Sequence, residues 1–316
     1  MKKNTLILLV AIGLLVVGAT GGAWWLLGRR TTNSEVVRLD IAAGDFPSLC
    51  DSLSHRGILP TAAMRLFARV LGLEEHVRPG SYLVQPHMRQ LDLVRKLRNG
   101  QQDPIRLTIG RFRTPDQLNR YLATHLMHDD FNVTLDNFHL VLPDTYEVYW
   151  TISPEAFRRR MEEEYERYFR GQGAWGLTPR EVVILASIVE EETNHEAEKP
   201  LIASVYLNRL RLGMALQADP TVKYAVGDFG LRRILNRHLT TESPFNTYLH
   251  TGLPPAPICL PGKSSIGAVL HAEETSYLYF CASDALDGTH RFATTLKEHN
   301  RNAAAYHAAL TRRGIK

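Results

Sequence analysis

Three acidic residues in a row, Glu190-Glu191-Glu192, close an apolar run and are followed by Thr193. Successive side chains on a helix turn by about 100°, so these carboxylates point in different directions. Leu185, Ile188, Val189 and Glu192 fall at i, i+3, i+4 and i+7, which puts Glu192 on an apolar stripe and its two neighbours away from the stripe's centre. Poor hydration disfavours the ionised form of a carboxyl group and raises its pKa. A carboxyl so placed suits general acid and base work near neutral pH. The pattern equally fits a helix that ends in solvent with all three acids exposed. By contrast, Glu162-Glu163-Glu164 reads as the solvated face of a charged helix.

The element that must position Glu192 has a clear start. Thr178-Pro179-Arg180-Glu181 has the form of a capping box with Pro at the first helical position. The run that follows is apolar around most of its circumference, so the helix should be largely buried. Upstream, Val36–Ile41 alternates as a strand does. Phe46, Leu49, Cys50 and Leu53 then mark one helix face, and Leu66, Phe67 and Val70 a second helix. Pro79-Gly80 turns into a short strand, Ser81–Val84, and Leu91, Val94 and Leu97 mark a further helix before Gly100. The order strand, helix, helix, strand looks like a LysM-type glycan-binding module; a simple spacer domain would share it.

Residues 5–28 carry no charge, and Trp24-Trp25 stand near their far end. A spanning helix needs about 20 apolar residues, and paired Trp suits a membrane interface. A cleaved signal peptide is the rival, but the apolar run continues through Trp24–Leu27, past any small-residue cleavage site. The expected organisation is therefore α+β. It comprises a tail (1–4), a single N-terminal transmembrane helix (5–28), a linker (29–35), a LysM-like βααβ module (36–102), a connecting region (103–177) and an α+β catalytic region (178–316). The short tail favours an N-terminus inside and a body outside the cytoplasm. The net charge is +4 with no Lys/Arg block, which argues against a nucleic-acid partner. Cys50, Cys259 and Cys281 match no zinc spacing and read as small buried hydrophobes, although a Cys259–Cys281 disulfide stays open.

Ala186–Thr193 resembles the signature of the YceG-like family of endolytic murein transglycosylases. Further blocks follow in the family's order: Val205–Leu210, Gly213–Val222, Phe245–Tyr248, Gly252–Ile258, Tyr277–Phe280 and His299-Asn300. Gly80-Ser81-Tyr82 and Pro143–Tyr146 also fit. Ala218, Lys223, Phe245, Lys199 and Cys281 depart from the usual pattern, which touches substrate contacts rather than proton transfer.

The resemblance implies a lytic transglycosylase with Glu192 as its catalytic residue, the glutamate directly before the threonine. It implies cleavage between N-acetylmuramic acid and N-acetylglucosamine with formation of a 1,6-anhydro end, and no metal or organic cofactor. Asn208, Arg209, Gln217, Asp219, Thr221, Asn246 and Tyr248 lie in the matched blocks as candidate substrate contacts; each has an equally good reading as a structural tie. Gly252-Leu253-Pro254-Pro255 reads as a rigid cleft wall. The implied partners are peptidoglycan glycan strands, nascent ones above all, the inner membrane, and peptidoglycan synthases. A hydrolytic muramidase pairing Glu192 with Asp219, or a tethered glycan-binding scaffold, are the competing readings.

Overall fold

A computed structural model describes residues 20–22, 24–42, 46–173, 175–231 and 233–314. In chain order the elements are β1 (Val37–Ile41), α1 (Phe46–His55), α2 (Ala62–Val70), β2 (Gly80–Val84), α3 (Gln90–Asn99), β3 (Ile105–Ile109) and α4 (Pro115–His125). There follow β4 (Asp144–Val148), α5 (Pro154–Phe169), α6 (Pro179–Glu192), α7 (Lys199–Arg211), α8 (Asp219–Val226), α9 (Asn236–Leu239) and α10 (Lys263–Leu270). The last are β5 (Tyr279–Ala282), β6 (His290–Ala293) and α11 (Leu296–Arg312). The strands pair two by two, β1 with β2, β3 with β4 and β5 with β6. The fold is thus α+β with small sheets.

The expected spanning helix is not supported: among the described residues no helix is long and apolar enough to cross a membrane. The described part of that stretch is helical at residues 20–22 and 24–27. These seven described helical positions account for roughly 10 Å, whereas a bilayer core is about 30 Å thick. Residues 1–19, which hold the expected tail and most of the expected span, lie outside the described residues.

The chain divides into two compact units. The first runs to Leu107 and includes His125–His128 and Glu147–Ile152; the second holds Thr108–Thr124, Asp129–Tyr146 and the chain from Ser153 on. The stretch 103–177 contributes to both. In the first unit β1 and β2 are antiparallel, with Leu39 opposite Tyr82, and α1 and α2 lie between them in sequence. Leu39, Leu49, Leu53, Met64, Tyr82 and Leu93 share one core. Thr61 caps α2, and Gly100 takes the left-handed conformation that ends α3. Asp103 closes the unit: its carboxylate accepts the Leu83 N–H at 2.6 Å and pairs with Lys96 at 2.6 Å.

The second unit is built around α6. Thr178 and Glu181 form the reciprocal capping box, with Pro179 in the first turn. Val182 through Val189 are all buried, and α6 packs against α7 and α10. Ser187, fully buried, is a cross-tie. Its hydroxyl donates to the Ile184 carbonyl at 2.7 Å and accepts the Ile258 N–H at 3.0 Å, which holds the 258–259 segment to the helix.

Candidate active site

Each of the three acids at the end of α6 is held by a different part of the chain. Glu190 accepts from Ser265 on α10 at 2.5 Å and lies 3.4 Å from the Lys199 ammonium. Glu191 accepts from Arg113 through both oxygens, at 2.9 and 3.3 Å. Arg111 stands 3.7 Å from each of these two carboxylates. Two of the acids are thereby neutralised by cations. Lys199 is only 4% exposed and also pairs with Glu196 at 2.6 Å, which puts a buried cation under the helix end.

Glu192 has no cation. Tyr206, on α7, donates to Oε1 at 2.5 Å. Among the described residues no other side chain bonds this carboxyl, which leaves Oε2 for an incoming group. Glu192 keeps some exposed surface, yet the packing around it strips most of its hydration. That desolvation pushes its pKa up to about 7. The Tyr206 hydrogen bond works the other way, and the negative charges of Asp219 and Glu191 push it up further. Tyr206 is fully buried; burial, then the Glu192 charge and hydrogen bond, hold its phenol protonated well above the ordinary range. The pair is thus a fixed donor facing an acid that titrates near neutrality.

The other expected site residues fall into two groups. Asn208, Arg209, Thr221 and Asn246 are buried and tied to the protein itself. Asn208 donates to the Thr275 and Tyr277 carbonyls, and Arg209 to those of Leu278 and Leu216. Thr221 donates to the Ala218 carbonyl and bonds the Thr247 hydroxyl, and Asn246 donates to the Leu239 and Thr241 carbonyls. These four build the walls and do not reach outward. Gln217, Asp219 and Tyr248 keep accessible surface. Gln217 has a positive φ of 52°, uncommon for a residue with a side chain, and its N–H bonds the Thr247 carbonyl. Tyr248 donates to Asp219 at 2.7 Å, and burial together with that bond pushes its phenol up. Asp219 and Tyr248 are both felt electrostatically within the Glu192–Tyr206 pair, so the structure brings these four together.

The Gly252–Pro255 loop lies elsewhere. Arg180, in the first turn of α6, donates to the Pro255 carbonyl at 2.9 Å. Arg180 and Glu192 are twelve residues apart on one helix, roughly 18 Å, so this loop does not wall the carboxyl. Tyr206, Arg111, Arg113 and Ser265 were not anticipated as site residues. Tyr206 was accessible in principle, as a polar tip on the stripe formed with Ile202 and Ala203; the arginines come from a loop whose sequence carries no periodic signal.

The chain belongs to the YceG-like family, whose profile matches residues 39–305. It is similar to a protein of Bacillus subtilis (strain 168) named endolytic murein transglycosylase, at 46% identity over 130 residues, 41% of this chain and 35% of that one. A protein of the same name from Streptococcus pneumoniae (strain D39) is 31% identical over 150 residues, 46% of this chain and 27% of that one. The matches therefore span about a third or less of these curated relatives. A solved yceG-like protein from Listeria monocytogenes aligns over 85% of this chain and 99% of its own, at 26% identity and a TM-score of 0.49.

Proposed function

We propose that this chain is an endolytic lytic transglycosylase that cuts the β-1,4 bond between N-acetylmuramic acid and N-acetylglucosamine in peptidoglycan. One observation carries the reading: a poorly hydrated carboxyl, Glu192, with a pKa near 7 and one oxygen free, at the signature of a family whose curated relatives bear that activity's name.

The chemistry follows from the pair. Tyr206 donates to Oε1, so the acidic proton resides on Oε2, the oxygen left open. Protonated Glu192 gives that proton to the glycosidic oxygen as the bond to C1 breaks. Positive charge builds on the muramic sugar, where the nearby Asp219 carboxylate favours it electrostatically. Glu192, now ionised and steadied by the same Tyr206 bond, takes the proton from the sugar's own C6 hydroxyl as that oxygen bonds C1. The product is a 1,6-anhydro end, and water is not consumed. An internal nucleophile has a high effective molarity, so no nucleophile from the protein is required. In this reading Gln217, Asp219 and Tyr248, which keep accessible surface, contact the sugars. Nascent strands beside their synthases, outside the cytoplasm, are the substrate and setting this chemistry suits. The βααβ order of the first unit supports a glycan-holding role for it.

Mass spectrometry of sacculi digested by wild type and by Glu192→Gln tests the proposal. The expected wild-type products are muropeptides lighter by one water than hydrolysis would leave, and Glu192→Gln yields none. Reducing ends instead of anhydro ends would establish a muramidase using Asp219 as the second carboxylate.

A further inference from the structure

The face of α7 turned away from the catalytic pair floors a second feature. Tyr206 points toward Glu192, while Leu207, Asn208 and Arg211 lie roughly 100–200° around the helix from it. Over that face run three adjoining depressions that share lining residues. The first, about 720 Å³, is lined by Trp175, Arg211, Glu274 and Tyr277 among others. The second, about 260 Å³, shares Trp175 and Arg211 with it and adds Leu177 and Leu210. The third, about 470 Å³, continues from Leu177 and Leu210 to Pro254 and Pro255. Together they form a track rather than a closed pocket, shaped for an elongated molecule.

The lining has a definite chemistry. Trp175 is 42% exposed with a φ of 51°, a costly conformation for a bulky residue, and Gly176 beside it has a φ of 78°. Two left-handed residues in succession hold the indole at the surface. The Arg211 guanidinium is fixed by the Asn208 oxygen at 3.0 Å, and Asn208 is itself locked to two carbonyls. Among the described residues neither Arg211 nor Glu274 has an ion pair. An exposed flat aromatic, a pre-set cation and several hydroxyls along one track match a saccharide chain bearing carboxylates. The C–H face of a pyranose stacks on an indole, and a guanidinium pairs with a carboxylate.

We propose that this track is a second glycan-binding site. In it Trp175 stacks on a sugar ring and Arg211 pairs with the lactyl carboxylate of an N-acetylmuramic acid, away from the bond being cut. The choice of ligand rests on the function proposed above. A polymer held at two places leaves slowly, because release from one site is countered by the other.

Calorimetry on the full chain carrying Glu192→Gln tests the track, with peptide-free glycan strands and, separately, an N-acetylglucosamine tetramer as probes. Adding Trp175→Ala is expected to weaken strand binding about tenfold, and Trp175→Tyr to restore most of it. Arg211→Ala is expected to weaken binding of the strands, which carry lactyl carboxylates, but not of the tetramer, which has none. In the otherwise wild-type enzyme, Trp175→Ala raises KM on long strands with kcat unchanged. Strand affinity untouched by Trp175→Ala overturns the proposal, as does a track that takes an extended apolar peptide and no strand. If Glu192→Gln still cuts while Trp175 governs binding, the catalytic assignment falls and the track stands. If Glu192→Gln is inert and Trp175→Ala changes nothing, the reverse holds.

Discussion

The group proposed to react is one carboxyl whose surroundings oppose its ionisation. Raising a glutamate's pKa from 4.5 to about 7 means the folded state binds a proton that the unfolded chain releases across that interval. Stability therefore falls as pH rises from about 4.5 to 7 and stays lower above it, by on the order of 3 kcal/mol. Glu192→Gln should remove this cost. The variant is expected to melt higher than wild type at pH 8 and no higher at pH 4, while its glycan cleavage drops by about a thousandfold or more; denaturation curves at the two pH values check it. Because the acid must start protonated, wild-type activity should decline as pH rises through about 7. Tyr206→Phe deletes the bond that lowers the Glu192 pKa, so this limb should move to higher pH. A limb that stays or moves down in the pH–rate profile contradicts the role given to Tyr206. The stripe Leu185, Ile188, Val189, Glu192 set Glu192 apart from its two neighbours, since helical geometry is local, but the same spacing fitted an exposed helix end; burial in the fold decided between the two. Tyr206 was legible only as a polar tip on a helix stripe; its contact with Glu192 depends on how α6 and α7 pack, fourteen residues apart in sequence.

At the scale of elements, the carboxyl end of α6 is braced from three directions, and each brace can be removed by itself. Arg113→Ala leaves Glu191 with only the looser Arg111 contact. The expected cost is about 1–3 kcal/mol in thermal unfolding. The Glu192 limb should also shift upward, because a less compensated Glu191 charge opposes its ionisation. Ser187→Ala strands the buried Ile258 N–H and should cost about 1–3 kcal/mol. Its effect on the pH profile should be small, since no charge near Glu192 changes. The capping box of α6 and the βααβ order of the first unit were readable because caps and short-range periodicity are written locally. The roles of Asn208, Arg209, Thr221 and Asn246 were ambiguous for the opposite reason. Polar side chains suited to sugar hydroxyls suit backbone carbonyls equally well, and only burial separates the two uses.

At the scale of the molecule, the core of the first unit is contiguous in sequence, from Leu39 to Leu97. A fragment of residues 30–104 should accordingly melt in one cooperative transition by circular dichroism. One ending at Gln102 loses Asp103 and its bonds to Leu83 and Lys96, and should melt roughly 5–15 °C lower. The expected spanning helix is the largest departure from the sequence reading: the apolar composition of residues 5–28 suggested it, and the seven helical positions described there are too few to cross a bilayer. The stretch 103–177 gave little away because its pieces alternate between the two units, and no periodic signal announces such alternation. That alternation has an evolutionary consequence. A single genetic crossover near codon 107 would carry off one unit while leaving its segments 125–128 and 147–152 with the other parent. The first unit would then be assembled from two parents while the second came whole from one, so the first cannot be traded like a cassette by one exchange.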